Sequence, residues 1–281
     1  MSIQNLIASA GERLTPTERR IAGIIVDDPT LLAFGTVSDL ALRVPTSRPT
    51  VVRFATKLGL AGYSHLQSIA RDEIASRLSR PSDRIRRSPA EQSLPHGIIE
   101  DATRAAIEAL DGDRLAALAE PIAAAERVWI VSGETSLAGA HAFYSGLSMI
   151  RSDVHLVQAQ STARALTSAG TRDVAIAIDF ARYRRLSVTA ARALADLGVR
   201  IIAITDGPLS PLAGLTDDRC ELHVPAVGPF DSSVPAVIAA ELIVSSVASR
   251  LGDAARDRID RLESLWQTTD TFLDDPGGGS G

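Results

Sequence analysis

The chain has 281 residues, 45% of them apolar and 22% charged, with a formal net charge of −5. That is enough for two domains, each with a buried core. A lone Cys220 and five scattered histidines exclude a disulfide framework and a metal cluster. No run of about 18 uninterrupted apolar residues offers a membrane span. The opening MSIQNLIASAGERLTPTERR lacks the charged-then-apolar order of a secretory signal. A cytoplasmic protein with no cofactor, no metal and no membrane partner is expected.

The first 78 residues are helical in pattern. Thr15-Pro16-Thr17-Glu18 starts a helix by capping logic, with proline at the first helical position. That helix is expected to bury Ile21, Ile24 and Ile25 and to end near Asp28-Pro29. Residues 37–62, VSDLALRVPTSRPTVVRFATKLGLAG, then read as helix, tight turn, helix. Leu40, Val44, Val51 and Phe54 fall where two crossed helices bury apolar side chains, and Ala41 falls where the helices come closest. Ser47 is a suitable N-cap, Pro49 tolerates the first turn and Gly59 supplies a stop. Pro45 and Thr46 stand in the turn, where a glycine and an apolar residue are commoner. A further helix is expected from about Tyr63 to Leu78.

The exposed face of the second helix carries Arg48, Thr50, Arg53 and Lys57. In helix-turn-helix proteins the start of this helix meets base edges in the DNA major groove while its flanks grip phosphates. Arg48 and Arg53 can contact guanine bidentately, or phosphate. Ser47 and Thr50 can bond phosphate or base, and the Thr50 methyl can pack on thymine. Lys57, the only lysine, sits late in the helix, where a phosphate contact is expected. The other reading of this window is a helical hairpin with a solvated basic face. Charge favours the first: residues 1–87 hold 13 Arg/Lys and 8 Asp/Glu, a net of +5, while the remainder carries −10.

The segments LTPTERRIAGIIVDDP (14–29) and SRPTVVRFATKLGLAGYSHL (47–66), with the spacing between them, resemble the RpiR-type regulators. The resemblance covers nearly all of residues 1–78. It implies a helical DNA-binding domain followed by a sugar-isomerase-like (SIS) effector domain, through which the chain would dimerise.

Residues 79–97, SRPSDRIRRSPAEQSLPHG, are rich in Pro, Ser and Arg and are expected to be a linker. Arg84, Arg86 and Arg87 there could touch DNA backbone or lie in a solvated tether. From Ile98 the pattern changes. Two helical stretches (98–110 and 112–125) lead into apolar runs at 127–132, 153–157, 173–179, 200–205 and 219–224. Helical patterns at 136–150, 184–197 and 233–251 separate most of these. The alternation predicts an α/β fold: a parallel sheet flanked by helices over 98–273, behind an all-α head. The 233–251 helix could pack within the body or pair subunits. Residues 274–281, DDPGGGSG, read as a flexible tail.

Ligands of such sheets lie at the carboxyl ends of the strands. SGETSLAG (132–139), DFARYRRLS (179–187) and the strand VRIIAITD (199–206) resemble, in order and separation, the ligand-facing loops and next strand of SIS domains. The first loop of that family reads Gly-x-Gly-x-Ser, and here has Ser132, Glu134 and Ser136. The second reads Ser-x-Ser-Gly-x-Thr, and here has Asp179, Ala181, Arg182 and Arg184. Most of the hydroxyls that would cradle a sugar phosphate are absent. A carboxylate near a phosphate is repulsive by roughly 1–4 kcal/mol at 4 Å.

Two readings of these loops stay open. In one, Arg182, Arg184 and Arg185 re-create an anion site, Glu134 and Asp179 bind hydroxyls or an amino group, and Thr135 and Ser136 add hydroxyls and N–H groups. In the other, these charges pair with each other and no ligand binds. The expected function is a DNA-binding regulator that acts as a homodimer or higher oligomer on an inverted repeat, modulated by a small polar effector. The alternatives are a SIS-fold isomerase or lyase, with Glu134, His223 and Glu241 as possible acids or bases, and a protein-interaction module.

Overall fold

The computed structural model describes residues 3–78, 81–85, 95–158, 162–208 and 210–272. The chain divides into two compact units, Met1–Arg87 and Ser88–Gly281. The division falls within the expected linker, but that segment is not featureless. Pro81–Ile85 is helical and Arg84 is buried, against the expectation of a solvated tether. Arg86, Arg87 and the tail 274–281 lie outside the described residues.

The first unit is all helical: α1 (Ile3–Ala10), α2 (Pro16–Asp27), α3 (Pro29–Phe34), α4 (Val37–Arg43), α5 (Arg48–Lys57), α6 (Tyr63–Leu78) and α7 (Pro81–Ile85). α2 opens on the predicted capping box. The Thr15 N–H donates to Glu18 Oε2 at 2.7 Å, and the Glu18 N–H donates to Thr15 Oγ1. Asp28 closes α2 and caps α3 by accepting from the Leu31 N–H, so the turn at Asp28-Pro29 leads into a second short helix rather than a loop. Leu40, Val44, Val51 and Phe54 are fully buried and Ala41 nearly so, as the helix-turn-helix pattern requires. Ile21 and Ile25 join that core, with Ile24 half-buried at its edge. The α4–α5 turn closes with the Thr46 N–H on the Ala41 carbonyl, leaving Pro45, which has no N–H, at the corner. α5 ends where Gly59 turns left-handed (φ 85°), with the Leu60 N–H reaching back to the Ala55 carbonyl.

The second unit has the expected α/β architecture. Its elements are α8 (Pro95–Ala109), α9 (Gly112–Ala124), β1 (Val128–Ser132), α10 (Leu137–Ile150), β2 (Val154–Leu156), α11 (Thr162–Leu166), β3 (Val174–Ile178) and α12 (Arg185–Asp196). Then come β4 (Arg200–Thr205), β5 (Arg219–Glu221), β6 (Ala226–Val227), β7 (Phe230–Asp231), α13 (Val234–Leu251) and α14 (Asp253–Thr268). Five strands form a parallel sheet in the order β2-β1-β3-β4-β5, and β6 and β7 form a small hairpin.

Each face of the sheet has its own core. Val128, Ile130, Val174, Ile176, Ile202 and Ile204 point to one side, against α8, α9, α10 and α13. Trp129, Val131, Ala175, Ala177, Ile201 and Ala203 point to the other, under α11 and α12. The small alanines let α12 lie close to β3. α13 is long and apolar enough to cross a membrane by length and composition, yet it packs against α8, α9 and α10. α10 and α13 approach so closely that a Cβ on Gly139 would lie 2.7 Å from that of Ala236. The helix therefore packs within its own chain through Pro235, Ala236, Ala239, Ala240, Ile243 and Val247.

Candidate functional site

Ser47 sets the start of α5. Its Oγ accepts from the Thr50 N–H and lies 2.8 Å from Thr50 Oγ1, which also accepts from Arg53 Nη2 at 3.3 Å. The two hydroxyls expected to reach DNA are therefore engaged in the cap. Arg48 and Arg53 remain exposed on the outward face. Lys57 differs from its sequence-based expectation. Its ammonium pairs with Glu18 at 2.7 Å, tying α2 to α5 instead of standing free for phosphate. Burial opposes ionisation of Glu18, but the Lys57 ammonium and the Thr15 hydrogen bonds outweigh it and hold the carboxyl below its ordinary range.

This contribution is present above the ordinary glutamate pKa and is lost as pH falls through the lowered folded value. Glu18→Gln keeps a capping-box side chain and removes the charge. It is expected to destabilise the head by about 0.5–1 kcal/mol at neutral pH, since Lys57 is about a third exposed. Denaturation of both proteins across pH should show the difference vanishing in acid.

In the second unit the strand order reverses direction between β1 and β3. The chain leaves β1 for α10 on one face and leaves β3 for α12 on the other. Loops that part in this way open a crevice at the carboxyl ends of the strands, where α/β sheets take ligands. The loops 132–139 and 179–187 are the two that flank it, with Ser132 in register beside Ile178.

Asp179 ties the two loops together. It is fully buried, against its expected role as a ligand-facing group. Its carboxylate accepts from the N–H of Arg184 at 2.8 Å, the N–H of Phe180 at 3.0 Å and the Ser187 hydroxyl, and from Ser136 Oγ at 3.5 Å. Burial pushes its pKa above the ordinary carboxylate range, while the Ser187, Arg184 and Phe180 hydrogen bonds pull the other way. Gly133 makes this possible. A Cβ there would lie 2.4–2.7 Å from the carboxylate atoms of Asp179. Ser136 is buried with it, so two of the expected ligand residues serve the loop scaffold.

The rim is different. Glu134, Arg182 and Arg184 are exposed. Arg184 Nη2 pairs with Glu134 Oε2 at 2.9 Å, so these two charges meet each other across the loops. Arg182 stands at the family's glycine position with a left-handed backbone (φ 70°). Asp206, at the end of β4, fixes both neighbours by accepting from the Ala181 N–H at 3.1 Å and from the Tyr183 hydroxyl. Burial and then the Asp206 carboxylate raise the Tyr183 pKa, so the phenol stays protonated and donates. A left-handed non-glycine residue costs about 1–2 kcal/mol. Arg182→Gly is therefore expected to raise stability by about 1 kcal/mol, read as an increase in denaturation midpoint.

Of the acid–base candidates, Glu134 is paired, Glu241 is exposed on α13, and His223 is exposed just past β5. Sequence reasoning missed Gly133, Tyr183, Ser187 and Asp206. The signals available were a glycine directly after the first strand and an aspartate directly after the fourth.

Comparison with known proteins agrees with this fold and domain order. The helix-turn-helix domain of the rpiR family matches residues 1–77, and the SIS domain matches residues 122–246. An uncharacterized HTH-type transcriptional regulator of Caldanaerobacter subterraneus subsp. tengcongensis is 25% identical over 253 residues, covering 86% of this chain and 84% of that one. Two solved structures share the fold. The sugar isomerase domain of an RpiR transcription factor from Sphaerobacter thermophilus is 23% identical over 62% of this chain and 100% of that one, with a TM-score of 0.54. The Vibrio vulnificus NanR protein complexed with ManNAc-6P is 19% identical over 96% of this chain and 100% of that one, with a TM-score of 0.55. The chain therefore belongs to the RpiR-type transcriptional regulators, with an rpiR-family helix-turn-helix domain followed by a SIS domain.

Proposed function

We propose that the chain binds an operator as a homodimer or higher homo-oligomer through the outward face of α5, and that a small polar metabolite at the β1/β3 crevice modulates this binding. The observation that carries the DNA half is the exposed pair Arg48 and Arg53 on the recognition helix of a head with net charge +5. Two such heads call for an inverted repeat with half-sites about one helical turn apart.

The effector half rests on the crevice. Arg182, Arg184, Glu134 and Thr135 line its rim and can offer charge-assisted bonds to a polar ligand. Arg182 carries a side chain at a left-handed position where glycine would be less strained, which supports a functional role. NanR, which shares this fold, was solved with ManNAc-6P, and a carbohydrate derivative is the class to test first. Calorimetry across a panel of such compounds should give binding by the native chain and a large loss in the Arg182→Ala/Arg184→Ala variant. Failure of every compound, with DNA affinity indifferent to all of them, would sink the effector half.

A further inference from the structure

We infer that the recognition helix selects thymine methyl groups at the centre of each half-site, through an apolar strip formed by Pro49, Val52 and Thr56. This rests on reading α5 as the DNA-contacting helix. At about 100° per residue, Arg48, Val52, Thr56, Pro49 and Arg53 fall at roughly 0°, 40°, 80°, 100° and 140° around the helix. All five are exposed. The two guanidiniums therefore stand at the edges of one face, and the middle of that face belongs to the other three residues.

None of those three offers a polar group outward. Pro49 has no N–H and an apolar ring. Val52 is 41% exposed although β-branched and apolar. The Thr56 hydroxyl is turned back onto the helix, donating to the carbonyls of Val52 and Arg53 at 3.0 Å each, which leaves its methyl as the outward group. Thr50, expected from sequence to pack on thymine, lies at roughly 200°, off the strip. It is half-buried, with its hydroxyl held by Ser47 and Arg53.

Val52 is not exposed for want of a core position. Val51 and Phe54 are fully buried in the core, and Val52 is out of phase with them. In the major groove the one apolar feature of a base pair is the C5-methyl of thymine. A hydrogen-bonding base edge placed against this strip would lose its water and gain no partner. A methyl would lose water at no such penalty. Flanking guanines or phosphates remain for Arg48 and Arg53.

The test starts from a site recovered with the full chain from an unmethylated random-sequence duplex pool, so that thymine is the only source of a C5-methyl. Each thymine of the site is then replaced by deoxyuridine, which removes one methyl and nothing else. The expected result is a loss of roughly fourfold per methyl at one to three positions in each half-site. Val52→Ala, an exposed substitution, should bind the native site more weakly and lose the thymine-over-uracil preference at one of those positions. Equal binding of every uracil duplex overturns the inference, as does full retention of the preference by Val52→Ala. If no site is recovered and the chain binds no DNA, the reading of α5 as a DNA helix fails first.

Discussion

Alanine at both Arg48 and Arg53 is expected to weaken operator binding by roughly 100-fold or more while leaving the fold intact. Each arginine in a base or phosphate contact contributes about 1–3 kcal/mol. Both side chains are exposed, and neither makes an ion pair with any described residue. Among the described residues, the one side-chain hydrogen bond made by either guanidinium is that of Arg53 to Thr50, within the same helix. Melting of the variant should therefore match that of the native protein. The two single variants separate base reading from backbone grip. Loss of a phosphate contact lowers affinity for all sequences and reduces the salt slope by about one. Loss of a guanine contact relaxes selectivity at one position and leaves the slope unchanged.

The second large effect is expected at Asp179. Asp179→Asn keeps the shape but replaces one acceptor oxygen with a donor. Either orientation then turns an NH2 toward a backbone N–H, of Arg184 or of Phe180, that cannot reverse its role. A buried donor left without a partner costs about 1–3 kcal/mol. Gly133→Ala should cost a similar amount, because its methyl meets the carboxylate at 2.4–2.7 Å. The two are coupled through one contact, so Gly133→Ala should be milder in an Asp179→Ser background. Denaturant unfolding of the four proteins checks this, and strict additivity would contradict it. The pH signs of the two carboxylates are opposite. The Glu18 contribution is present above the ordinary glutamate pKa and is lost as pH falls through the lowered folded value, whereas the raised pKa of Asp179 means its contribution is present in acid and is lost as pH rises through the folded value.

These two sites differ in how far the residues announce them. The helix-turn-helix core was legible because each position obeys a local rule. Leu40, Val44, Val51 and Phe54 keep helical phase, Ala41 is small where the helices meet, and Ser47 and Gly59 mark ends. The sheet was legible because β1, β3 and β4 are short apolar runs between helical patterns. Helices α3 and α11, of six and five residues, and the two-residue strands β6 and β7 were not, since elements so short carry no period.

The sites were less legible than the folds. Lys57 and Glu18 are 39 residues apart, and nothing local joins them. Asp179 reads from sequence as a loop carboxylate facing ligand, because the groups that bury it come from two separate loops. Val52 sits in a Val-Val pair, and only the packing of Val51 inward shows that its neighbour faces outward.

The most direct measurement is binding of the full chain to its recovered inverted repeat and to a shuffled duplex of the same composition, across a salt series. The account predicts about 10³-fold or greater preference for the repeat, with affinity falling steeply as salt rises, and loss of that preference in the Arg48→Ala/Arg53→Ala variant. Equal affinity for the two duplexes, or a preference that survives the double substitution, would contradict it.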